Sequence, residues 1–159
     1  MVKKITRKKS ENEHKVVTVN AYENDYFYFL RQEHLRTYEV KYKPSAYDIY
    51  NTAENQEITD LIIFYIKEQI KAGYRYKSII INTIEGGTTI AQKSQEYIHK
   101  VLYPFLLAQN IQNKLYCLGE EVISKLSITL TAETADSKKF NNQFFATHDA
   151  CVHYIKNNL

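Results

Sequence analysis

Residues 78–118 read SIIINTIEGGTTIAQKSQEYIHKVLYPFLLAQNIQNKLYCL, and this stretch decides the fold class. It opens on Ser78-Ile79-Ile80-Ile81-Asn82, a continuous apolar run with the length of a strand buried on both faces. Ile84-Glu85-Gly86-Gly87 makes a turn. Thr89 stands three residues before Gln92, the spacing of a capping box, and predicts a helix start. The helix is expected over residues 90–109, with Ile98, Val101, Leu102 and Phe105 as its buried stripe. Pro104 falls inside it. Its ring frees the Lys100 carbonyl, so the helix is expected to bend and continue. Lys114–Leu118 is the next strand. Further on, Glu120–Leu130 reads as a helix, Asn142–Phe145 as a short strand and Thr147–Asn157 as a helix with Ala150, Cys151, Tyr154 and Ile155 on one side. Strands alternating with helices imply a sheet with helical crossovers.

Toward the N-terminus, Lys15–Asn20 is β-branched and suits an edge strand. Tyr26–Arg31 and Arg36–Lys43 are two strand-like runs joined by Gln32-Glu33-His34. The second alternates, with Tyr38, Val40 and Tyr42 on one side and Thr37, Glu39, Lys41 and Lys43 on the other. The first is apolar on both sides and asks for cover on both. A helix is predicted over residues 53–72, its apolar stripe running through Ile58, Leu61, Ile62, Tyr65 and Ile66. Gly73 comes next, where a left-handed C-terminal cap is wanted.

The chain has 159 residues, 44% apolar and 25% charged, which suits one globular domain. The expected division is a basic, flexible tail over 1–14 and a single domain over 15–159. Lys3, Lys4, Arg7, Lys8 and Lys9 carry five of the 21 basic residues. Without them 16 basic residues face 18 acidic ones, a net −2. A body with that balance argues against nucleic-acid binding. No apolar run is long enough to span a membrane, and no signal peptide is legible, so a cytoplasmic location is expected. Cys117 and Cys151 belong to no metal or redox motif and read as buried free thiols.

Candidate chemistry is sparse. Gly86, Gly87, Thr88 and Thr89 run from a strand end toward a helix N-terminus, where free amides can accept an anion or a phosphoryl group. The spacing is neither a P-loop nor a dinucleotide fingerprint, and a tight turn with a cap accounts for the same residues. Glu96 and His99 form a single E-x-x-H without the second copy a di-iron site needs. His148 and His153 are five apart, the wrong spacing for two ligands on one helical face. No catalytic residue, cofactor or metal is assigned.

Three segments carry a family resemblance. Glu96-Tyr97-Ile98-His99-Lys100-Val101-Leu102-Tyr103-Pro104 resembles a proline-bearing helix of the STAS-like, or SpoIIAA-like, bacterial proteins. Asn113–Gly119 with Ser124–Ser127 resembles the next strand and helix of that group. Asn142–Ile155 resembles its ending. The resemblance spans roughly residues 25–159 and implies an α/β domain, a mixed sheet with helices mainly on one face and an N-terminal β-hairpin. It further implies a non-enzymatic regulatory or scaffold role through protein–protein interaction. Relatives switched by phosphorylation carry an Asp-Ser pair, which residues 84–89 lack. Other relatives resemble lipid-carrying domains, so an apolar small molecule is the alternative occupant. Tyr26, Phe27, Tyr28 and Phe29 are the expected interaction surface. Sheet cover on one side only would leave part of that hairpin exposed, and pairing into a homodimer is expected to bury it.

Overall fold

A computed structural model describes residues 17–44, 52–86, 92–119 and 137–159. Six strands form one mixed sheet: β1 (Thr18–Glu23), β2 (Phe27–Gln32), β3 (Thr37–Tyr42), β4 (Ser78–Asn82), β5 (Asn113–Cys117) and β6 (Asn141–Phe145). They lie side by side in chain order. β1, β2 and β3 are an antiparallel meander, while β3 to β6 run parallel. The division stems from the connections: short turns join antiparallel neighbours, and parallel neighbours need long crossovers.

Crossovers of one hand between strands laid down in one direction put their helices on one face. Helix α1 (Thr52–Lys71) joins β3 to β4. The β4–β5 connection contains α2 (Gln92–Tyr97), a π-helical turn (Ile98–Leu102) and α3 (Tyr103–Ala108). Both connections bury Phe27, Phe29, Tyr38, Val40 and Ile79 beneath Ile58, Ile62, Tyr65, Ile66, Leu102, Tyr103 and Leu106. Helix α4 (His148–Asn158) returns over the opposite face, covering Ile80, Leu115 and Cys117 with Cys151 and Ile155. Helices therefore lie on both faces. Ile80 looks toward α4, whereas Ile79 looks toward α1. Thr147 is the N-cap of α4, its Oγ1 accepting from the Ala150 N–H at 3.2 Å.

The helix passes Pro104 by widening just before it. The Tyr103 N–H reaches back to the Ile98 carbonyl, five residues away. That turn carries one more residue than an α-turn and rotates α3 about the helix axis. The buried positions become Leu102, Tyr103 and Leu106, while Ile98, Val101 and Phe105 are only half-buried. Gly73, at φ +95°, ends α1 as expected. The helix expected at 120–130 and the cap at Thr89 lie outside the described residues, as do residues 1–14.

Candidate functional site

On the second face the strand register brings three polar side chains together. Gln32 ends β2, Glu39 lies mid-β3 and Asn82 ends β4. Leu30 pairs with Glu39, Glu39 with Ile80 and Lys41 with Asn82, so these positions share one side of the sheet. Glu39 is 1% exposed. Gln32 Nε2 donates to its Oε2 at 2.6 Å, and Asn82 Nδ2 donates to Oε1 at 2.9 Å. His148, the first residue of α4, sets its Nε2 3.1 Å from Oε2. Gln32 is itself held by the Thr18 hydroxyl, which donates to Oε1 at 2.6 Å.

Burial alone pushes the Glu39 carboxyl up. The bonds from His148, Asn82 and Gln32, with the charge of His148, outweigh that and hold it below the ordinary value. The bond to Glu39 in turn raises His148, against the effect of its own burial. When His148 is protonated, which the raised value favours, the two form a carboxylate–imidazolium ion pair, its carboxylate sealed and its ring half-buried. Above it opens a cleft of about 410 Å³, edged by Leu30, Lys41, Ile84 and Glu85. Lys41 Nζ stands 3.6 Å from Glu85 Oε1 across the rim.

Behind the pair, Cys117 lies across from Asn82 in β5, and Cys151 of α4 packs against it. Both thiols are fully buried and free. Their mutual hydrogen bond, with burial, pushes Cys117 well above its ordinary value. A thiol in that state supplies no thiolate. The geometry thus commits His148 Nε2 to the buried carboxylate at the edge of the cleft, and among the described residues no thiolate stands beside it.

The expected site residues fare unequally. Gly86 is buried against the end of β3, and a Cβ there would stand 2.6 Å from the Lys43 carbonyl oxygen. Its lack of a side chain therefore serves packing. Gly87, Thr88 and Thr89 lie outside the described residues. Phe27 and Phe29 are fully buried beneath α1 and cannot form a surface of the folded chain. Tyr26 precedes β2 and turns to the helix side, its hydroxyl donating to Glu57 Oε2 at 2.9 Å. Of the four, Tyr28 alone lies on the second face, half-buried, with Lys43 Nζ 4.6 Å above its ring.

Glu39 and His148 escape a reading of the sequence. Glu39 looks like the solvent side of an alternating strand, and His148 belongs to no ligand spacing. A usable sign was an acidic residue in a strand flanked on both sides by others, with the amides of Gln32 and Asn82 at the neighbouring strand ends. No family model, curated protein or solved structure matches the chain.

Proposed function

We propose that this chain is a non-enzymatic regulatory or scaffold module that docks another protein chain on the open part of its second face. One observation carries the reading. α4 covers the β4–β6 side of that face, whereas Tyr28 and Leu30 of β2 enter no core cluster and remain half-buried beside the Glu39–His148 cleft. A surface with an aromatic, an aliphatic and charged rims around a rigid polar centre has the makeup of a protein contact. The order of strands and helices, each parallel strand lying beside the one before, supports the STAS-like reading of the fold. The sealed carboxylate and the protonated thiol support a non-catalytic role. Two cavities lined by described residues are edged by charged groups, and neither is the closed apolar chamber that a lipid carrier asks for.

The test is site-specific photo-crosslinking in cells. A benzophenone side chain at position 28 or 30 is expected to give a discrete protein adduct. The same group at Gln56, exposed on α1, is expected to give none. An adduct between two copies of the chain would make the partner a second copy. No adduct at 28 or 30, or equal adducts at 56, would overturn the docking face.

A further inference from the structure

A second cavity, of about 650 Å³, lies at the other end of α4 and shares no lining residue with the Glu39 cleft. Arg36 reaches it from the turn before β3, Arg75 and Lys77 from the α1–β4 connection, and Lys156 from α4. We propose that this cavity binds a small polyphosphorylated ligand.

Three observations carry the proposal. First, four cations from three separate segments converge there, and no Asp or Glu side chain among the described residues lines the cavity. The body of the chain is slightly acidic, so its overall charge does not explain the cluster. Second, none of the four enters an ion pair among the described residues. Arg31, Lys41, Lys43 and Lys71 do pair, with Glu33, Glu85, Glu23 and Glu68. Lys67, Lys93, Lys100, Lys114, Lys138 and Lys139 likewise enter no ion pair among the described residues, so it is the gathering of the four and not their lack of an ion pair that sets them apart. All four are solvent-exposed, so water and salt screen their mutual repulsion, and a bound anion would offset what remains. The positive potential already reaches into the wall, where His34 is held below its ordinary value first by burial and then by Lys156. Third, Arg36 sits at φ +50°, a left-handed conformation that glycine adopts freely and arginine does not. Strain of this kind gathers where a side chain is needed for function.

The floor adds neutral polar side chains. Ser78 and Asn113 line it as well, Asn113 Nδ2 donating to Ser78 Oγ at 3.2 Å. The volume falls within the range of small-molecule sites. Four cations around it match two or more phosphoryl groups better than a single carboxylate.

Calorimetric titration of the full chain with inorganic triphosphate, and in parallel with ATP, tests the proposal. One saturable site is expected, weakening as salt rises. Arg36→Gly is expected to weaken binding at least tenfold while melting no lower than the wild type, because glycine removes the strain at φ +50°. Lys156→Glu is expected to weaken it further. Tighter binding of ATP would extend the site to a nucleoside, and equal binding would confine recognition to the phosphate chain. No saturable binding at millimolar ligand would overturn the assignment. So would binding that survives both substitutions, which would belong to the basic residues at 3–9 instead.

Discussion

Two buried ionisable side chains, Glu39 and Lys114, are treated in opposite ways by the fold. Glu39 has three hydrogen-bond donors and stays charged. Its folded value is lowered, so its stabilisation is present above the unfolded carboxyl range near pH 4.5 and is lost as pH falls below it. His148 is raised, so its share is complete below pH 6.5 and is lost as pH rises through its folded value. The pair should stabilise most between those limits. His148→Gln is expected to cost about 1–2 kcal/mol at pH 5.5, a charged hydrogen bond discounted for a half-exposed ring, and less at pH 8.5. Urea melts at both pH values check this, and a constant difference would mean that the ring only packs. The Lys114 Nζ has no hydrogen-bond partner among the described residues and lies 3.5 Å from the Tyr103 ring centroid and 4.2 Å from that of Phe140. Burial pulls it down to about 7. The unfolded chain therefore binds this proton more readily, and stability rises with pH from about 7 to about 10.5. Lys114→Met is expected to stabilise by about 1–3 kcal/mol at pH 7, since an uncompensated buried ion is costly. The gain should shrink by pH 10, and a thermal melt that moves down at pH 7 would show the aromatic box to favour the cation.

Among the elements, the joint between β3 and the turn after β4 is closely packed at Gly86. Gly86 leaves no room for a methyl group, since a Cβ would meet the Lys43 carbonyl oxygen at 2.6 Å and Tyr42 Cβ at 2.8 Å. Gly86→Ala is expected to cost about 1–3 kcal/mol through forced backbone movement. Gly73→Ala faces open space and should cost about 1 kcal/mol for its positive φ alone. Chemical denaturation of both variants checks the order, and an equal or reversed order would place slack in the joint. The π turn before Pro104 shows the same dependence on neighbours. Periodicity predicts that apolar residues recur on both sides of the proline. Where the extra residue is taken up depends on the surface α3 must meet, here with Tyr103 and Leu106 against the core.

For the whole molecule, the oligomeric state tests the proposal that copies of the chain pair through the open half of the second face. Light scattering at high micromolar concentration is expected to give twice the chain mass, and Tyr28→Lys to return it to one. Monomeric wild-type protein would reject self-pairing and leave a different protein as the partner. Periodicity and turn chemistry determined most of the elements by themselves: the apolar run at 78–82, the stripe through Ile58, Ile62 and Ile66, Gly73 at a helix end, and two buried cysteines. These properties repeat along the chain, so neighbouring residues report them. The tertiary structure alone decided that Phe27 and Phe29 are core while Tyr28 lies on the other face. It alone set Glu39 against His148, 109 residues later, and drew Arg36, Arg75, Lys77 and Lys156 around one cavity. The physical reason is that such encounters depend on strand register and on the return of α4 over the second face, and both arise from packing between segments far apart in the chain.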